Sequence, residues 1–481
     1  MKIALIQPQF PTHIVTPPLG LGYLAASLFS QNHEVSIFDC LLQKTNNDQM
    51  LQILKENPPD LVGVSIMTIY FPQARDLIEK IKKQLKLPLV IGGPHVSALP
   101  RFSLEETKAD FATIGEAETT LKKLAYQLSR SSSNFSTIKG LAYKSKNGHI
   151  SQNPRQALIK DLNQIPLPAW NLLQPQKYPP APHGAFFRRF PTAPIITTRG
   201  CPFNCSFCSS RVTWCGQIRF REAKSVVDEM ELLHKKHGIQ EFHFEDDNFT
   251  ANKPHALSIC REIRRRKLNI VWACPNGVRI NCLDQELLEE MKASGCYLLA
   301  FGIESGSQRI LNRANKNLKL SLVPKIIKMA KKIGIQTWGF FIIGLPGETA
   351  NSAEKTIKFA RELPLDRAQF CKFVPLPGTK VFEDWLSNRK LKDLPWENFS
   401  FFGDSIYSTK SLSNIQLSYF QKKAFRAFYF RPKTLIKTIF LVKPKQAKWL
   451  LLRLTDYFNF FVKPTSLPAS PQAFNEPQKN C

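Results

Sequence analysis

Two rhythms alternate along the first part of the chain. The runs KIALIQ, EVSIFD, LVGVSI, LVIGG and FATIG are short, rich in β-branched residues and bounded by turn residues. Between or after them, LGYLAASLFSQ, QARDLIEKIKKQL and TTLKKLAYQL repeat apolar positions at helical spacing. The first set reads as strands and the second as amphipathic helices. Strands separated by helices of this length predict βαβ units and an α/β, doubly wound parallel sheet over residues 1–128.

The rhythm breaks over residues 129–192, which read as a linker region. SRSSSNFS is a flexible joint, GLAYKSKNGHI a hairpin with an Asn-Gly turn, and IPLPAWNLL and KYPPAPHG are Pro-rich and irregular. A second β/α series then fills residues 193–400. Its strands are PIITT, EFHFE, IVWACPN, YLLAFGIE, QTWGFFIIG and AQFCKFVP, with helical stretches such as AKSVVDEMELLHKKH and DQELLEEMKASG between them. Six repeats suggest a partial (β/α)6 barrel, although periodicity alone does not separate a barrel from another open sheet. Residues 401–464 read as a basic, aromatic-rich helical region. The Pro- and Ser-rich residues 465–481 read as a disordered tail.

In open parallel sheets and in barrels, ligands sit beyond the carboxyl ends of the strands. In the first domain those ends carry Ser65, Thr68, Gly92, Gly93, His95, Gly115 and Glu116, besides Pro8, Gln9 and Asp39. Paired glycines permit close approach of backbone to a ligand. Taken alone, they fit simple turn chemistry equally well.

Composition narrows the class. With 481 residues, 43% hydrophobic and 22% charged, the chain can build two or three cores, and global disorder is excluded. Eleven cysteines, scattered apart from one cluster, do not form a secreted disulfide framework, so a reducing cytoplasm is expected. The N-terminus reads as a first strand rather than a signal peptide. No apolar run reaches the roughly 20 residues that span a bilayer. The formal net charge of +28 implies an anionic partner or simply a basic surface. Much of it lies beyond residue 420.

The cluster is TTRGCPFNCSFCSS, in which Cys201, Cys205 and Cys208 follow the first strand of the second series. Three cysteines suit an iron–sulfur cluster with one iron left open. A structural zinc would want a fourth ligand, for which Cys215 is the nearest candidate. Cys260, Cys296 and Cys371 sit in apolar contexts and read as buried small hydrophobes.

C-x3-C-x2-C, with Phe207 before the last cysteine and an Arg-Gly before the first, resembles the radical S-adenosylmethionine (SAM) superfamily signature. The resemblance implies a 4Fe-4S cluster on Cys201, Cys205 and Cys208, whose open iron chelates SAM and cleaves it to a 5′-deoxyadenosyl radical. Further pieces recur in order. FEDDNFT puts Glu245, Asp246 and Asp247 where the family contacts the SAM amino group. GIESGS puts Glu304 and Ser305 at the ribose-contacting position, and IIGLPGE puts Ile342, Gly344 and Glu348 at the adenine side. PLPGT, Pro375 to Thr379, follows the sixth strand.

The N-terminal module, with PPLGLGYLAA, GVSIMT, GGPH and GEAE, resembles the cobalamin-binding domain of cobalamin-dependent radical SAM enzymes. Ser65, Thr68, Gly92, Gly93, His95, Gly115 and Glu116 are the corresponding candidates for cobalamin contacts. One departure matters. Methionine-synthase-like domains carry D-x-H-x-x-G, with the histidine on cobalt. Here Asp39 is followed by Cys40, Leu41, Leu42 and Gln43, so that histidine has no counterpart.

The resemblance covers about residues 1 to 400 and implies methylation of an unactivated carbon, with cobalamin carrying the methyl group. Cyclisation, rearrangement or oxidation occurs within the same architecture, the anaerobic magnesium-protoporphyrin ester cyclase being one case. A non-catalytic cobalamin- or metal-binding regulator is the alternative from another class. The expected partners are a small-molecule, lipid-like or tetrapyrrole substrate and an electron donor such as a ferredoxin or flavodoxin. The basic C-terminal region suits helices packed on the barrel, or a peripheral contact with an anionic membrane. Nucleic acid fits least, because no RNA-binding terminal domain is recognisable.

Overall fold

The computed structural model describes residues 1–432 apart from 13, 14, 132, 133, 146, 181–186 and 404. Its first sheet contains strands β1 (Lys2–Gln7), β2 (Glu34–Asp39), β3 (Leu61–Ser65), β4 (Leu89–Gly92), β5 (Phe111–Thr113), β6 (Leu141–Lys144) and β7 (Ile150–Gln152). They lie in the order β2-β1-β3-β4-β5-β6-β7. The first five are parallel, as their intervening helices require. Strand order reverses between β1 and β3, and a doubly wound sheet opens its ligand crevice at such a point. The register pairs Ser65 with Gly92, which sets both on the carboxyl edge.

The expected hairpin is present, but it does not stand in a loose connection. β6 and β7 pair antiparallel and extend this first sheet beyond β5. The Pro-rich stretch after it is a strap. Trp170 is buried and donates from Nε1 to Glu229 Oε1 at 2.8 Å. The Tyr178 hydroxyl donates to Asp39 Oδ2 at 2.6 Å.

The second sheet is parallel throughout and runs in sequence order: β8 (Thr192–Ile195), β11 (Glu241–Phe244), β12 (Val271–Val278), β13 (Cys296–Glu304), β14 (Gln336–Ile343) and β15 (Arg367–Lys372). A small antiparallel pair, β9 (Thr198–Arg199) and β10 (Arg219–Phe220), brackets the cysteine loop. Alternation along β14 shows how the barrel is filled. Phe341 and Ile343 pack outward with the helices, so Trp338, Phe340 and Ile342 face the inside.

The helix Asn414–Tyr429 covers the open edge at β15. Gln421 donates to the Phe370 carbonyl at 2.7 Å, and the Tyr429 hydroxyl donates to that of Ala368 at 2.7 Å. This part of the basic C-terminal region therefore packs on the barrel. The remainder, including the expected disordered tail at 465–481, lies outside the described residues. Trp396 and Phe399 turn back onto the first sheet, where they join Phe71 and Phe102 in one core.

Candidate active site

The carboxyl edges of the two sheets face each other across a cavity of about 470 Å³, within the range of small-molecule and cofactor sites. Ser65, Gly92, Gly93, Gly115 and Glu116 line it from the first sheet, and Cys208, Ser210, Trp214 and Asp247 from the second. Gly93 has φ +102°, and a β carbon there would come within 2.6 Å of the Ile66 carbonyl oxygen. Only glycine permits this close approach of the Gly93 backbone to that of Ile66 at the cavity wall.

Thr68 and His95, candidates from the same strand ends, do not line the cavity. His95 is fully buried, stacked on Phe71 at 4.3 Å between ring centroids, with Nδ1 3.2 Å from Thr68 Oγ1. Burial pushes its pKa down to about 3, so the ring is neutral. The Asp39 loop is also closed, because Oδ1 accepts from the Leu41 and Leu42 amides while Oδ2 holds Tyr178.

Glu116 reaches the cavity, but its carboxylate is occupied by Arg199, Arg219 and the Ile159 amide. Burial alone would raise its pKa. Hydrogen bonds from Arg219 and Arg199 outweigh that and hold it below the usual range.

The three cysteines lie within electrostatic reach of one another. Burial raises the pKa of Cys201, and charge on Asp247 and Cys205 adds to the rise. Cys208 keeps solvent access, and desolvation of its sulfur within the loop lifts its pKa to about 11, with further increments from Asp247, Cys205 and Cys201. A compensating cation favours the thiolate form of Cys201 and Cys208, a condition that an iron–sulfur cluster meets. Among the described residues, no three His, Cys, Asp or Glu side chains converge on a point as the ligands of a single ion would. Cys215, the candidate fourth zinc ligand, is exposed at the end of the helix Ser210–Trp214.

The acidic run after β11 divides its work. Asp247 faces the cavity, accepts from Ser210 Oγ at 2.8 Å and has a pKa raised by burial. Asp246 is buried and turned toward the start of β9. Its Oδ1 accepts from the backbone and hydroxyl groups of Thr197 and Thr198, and burial lifts its pKa to about 6. Glu245 accepts from Asn276 Nδ2.

At the remaining strand ends, Glu304 pairs with Lys316 at 2.6 Å, and Ser305 bonds Thr356. Phe207 and Ile342 meet in one apolar cluster around Leu345 and Phe373. Glu348 is fully buried, accepts from the Gly344 amide and has a pKa raised by burial to about 7.

The cysteine motif gave no sign of Arg279, whose Nη1 donates to Cys205 Sγ at 3.3 Å. Nor did it reveal the pairing of Arg199 with Glu116. A lone arginine after a strand has no sequence mark that separates it from a surface residue.

A three-thiol loop at the mouth of a partial barrel, with Cys208 opening onto a glycine-lined cavity in a doubly wound sheet, brings two candidate cofactor sites together. The thiols and the glycine-lined cradle fit a cluster and a cobalamin. Residues 195–360 match the Radical SAM superfamily and residues 13–125 the B12 binding domain. An uncharacterized methyltransferase of Pyrococcus horikoshii is 36% identical over 451 residues, 92% of this chain and 95% of the relative. The cytidylyl-2-hydroxyethylphosphonate methyltransferase of Streptomyces wedmorensis is 30% identical over 77% of this chain and 78% of its own. The radical SAM methyltransferase TsrM of Kitasatospora setae, solved with cobalamin and a [4Fe-4S] cluster, has the same fold (TM-score 0.69, 18% identity, 92% and 91% covered). This chain belongs to the cobalamin-dependent radical SAM enzymes, among their methyltransferases, and its cofactors are a 4Fe-4S cluster, SAM and cobalamin.

Proposed function

We propose that the enzyme methylates an unactivated carbon of a small, ring-bearing or otherwise apolar molecule bound in the barrel. The observation that carries this reading is the cavity joining Ser65 and Gly92 of one sheet to Cys208 and Asp247 of the other. When bound, the cofactors supply one-electron cleavage of SAM and a transferable methyl group.

The chain supplies position. Cys201, Cys205 and Cys208 would hold the cluster. Asp247, oriented by Ser210, offers a carboxylate to the SAM ammonium, and Glu304 stands at the strand end assigned to the ribose. The backbone at Gly92, Gly93 and Gly115 would cradle cobalamin. Trp338 and Phe340, with ring centroids 5.0 Å apart, form an aromatic wall inside the barrel, which suits a planar or lipid-like substrate such as a tetrapyrrole. The net charge of +28 favours an acidic electron-donor protein.

Anaerobic reconstitution with iron, sulfide and cobalamin, followed by analysis of SAM products, tests the reading. About four irons and one cobalt per chain, with 5′-deoxyadenosine formed and the Cys205→Ala protein silent, support it. Cobalt-free protein refutes methyl transfer through cobalamin. Protein that holds both cofactors but never cleaves SAM is a regulator rather than an enzyme.

A further inference from the structure

Arg279 follows β12, is only 6% exposed, and grips the cysteine loop at two points. Its Nη1 donates to Cys205 Sγ at 3.3 Å. Its guanidinium carbon stands 3.7 Å from the ring centroid of Phe203, the residue midway between Cys201 and Cys205. The guanidinium is itself held at two more points. Nε donates to Asn281 Oδ1 at 3.3 Å, and Nη2 donates to the Lys316 carbonyl. A planar fork with donors on three nitrogens does this; a lysine ammonium cannot.

Lys316 carries the connection onward. Its Nζ pairs with Glu304 Oε1 at 2.6 Å, and both side chains are buried. Glu304 sits past a register shift between β13 and β14, at φ +65°. A β carbon on Gly302 would come within 2.6 Å of that carboxylate oxygen and 2.8 Å of the ammonium, so glycine leaves the room the pair needs. Lys316 and Glu304 offset each other's charge. Among the described residues, no carboxylate forms an ion pair with Arg279, so its charge falls on the loop.

We propose that Arg279 is a positioning residue that fixes the Cys205 sulfur and raises the reduction potential of the cluster. This rests on the reading of the loop as a 4Fe-4S site. Hydrogen bonds to the sulfurs and nearby charge are the protein's main levers on such a potential. Reduction adds one negative charge to the cluster, and a fixed cation beside a sulfur favours the reduced state.

The test is a redox titration of the reconstituted holoenzyme, monitored by the electron paramagnetic resonance (EPR) signal of the reduced cluster. Arg279→Gln removes both the charge and the stacked fork. The expected result is full iron content with the reduction equilibrium displaced at least tenfold toward the oxidised form, a fall of about 59 mV for one electron. Full iron with the parental potential overturns the proposal. Should Arg279→Gln fail to retain iron, the neutral, similarly long Arg279→Met decides. A loaded methionine variant with a potential below the parent supports the role, and one at the parental value overturns it. A parent protein that takes up no iron overturns the cluster reading and this inference together.

Discussion

Arg199 Nη1 stands 2.8 Å from Glu116 Oε1 and 2.7 Å from Glu118 Oε1. Arg199 is two residues before Cys201, and Glu116 follows β5 of the other sheet. The second oxygen of Glu116 takes Arg219, from the strand that closes the cysteine loop, at 2.7 Å. Aromatic rings back both cations, with Tyr23 4.8 Å from the Arg199 guanidinium and Trp214 5.5 Å from that of Arg219. One buried carboxylate thus ties both ends of the cysteine loop to the edge of the first domain.

Glu116→Ala should leave two buried guanidinium groups without their shared partner. Breaking a buried pair in this way costs about 3–5 kcal/mol. Urea unfolding of the variant should show a loss of that order, and reconstituted protein should lose bound cobalamin on gel filtration. A variant as stable as the parent, with its cobalamin retained, would show that the clamp holds nothing.

The buried Glu348 gives a pH test. Its pKa rises from the ordinary 4.5 to about 7 through burial, against the hydrogen bond from Gly344. Between those values the folded chain binds a proton that the unfolded chain does not. Stability should therefore fall as pH rises through the window, with the full cost present above pH 7. Glu348→Gln keeps a neutral acceptor for the Gly344 amide, so denaturant midpoints measured from pH 4.5 to 7 should lose this slope in the variant. An unchanged slope would place the titration elsewhere.

Neutral and sealed among aromatics, His95 should not reach cobalt. The protein reconstituted with cobalamin and reduced to cob(II)alamin should give the same EPR spectrum for His95→Phe as for the parent. Loss of a nitrogen splitting in the variant would contradict the position of the ring.

How much of this was legible in the sequence depends on the kind of signal. All six barrel strands could be read, because apolar runs bounded by turns are local. Cys201, Cys205 and Cys208 were legible for the same reason, being three thiols inside one loop. The ends of GVSIMT and GGPH carried real cavity residues in Ser65, Gly92 and Gly93. Yet the same motifs also offered Thr68 and His95, which face into the core. One turn of chain sends neighbours in opposite directions, and composition does not say which way. Glu116 was found, but not its work, since its partners Arg199 and Arg219 lie 83 and 103 residues away. Residues 141–152 read as part of a connection because a hairpin looks the same whether it stands alone or extends a sheet.

The last prediction separates the two readings of the cysteine loop by removing one cysteine at a time. Cys208 lines the cavity, and its thiol feels the charges of Cys201 and Cys205. Cys215 stands seven residues further on, off the lining of the cavity, with φ +53° at the end of the helix Ser210–Trp214. A zinc site closed by four ligands would need both residues, whereas a cluster with an open iron needs only the first. Cys208→Ala should lose most of the roughly four irons and the broad visible absorbance of the reconstituted protein, with its circular dichroism unchanged. Cys215→Ala should keep both the iron and the colour. If the two variants lose metal alike, and the lost metal is zinc, the loop is a closed structural site and the radical chemistry assigned to it fails.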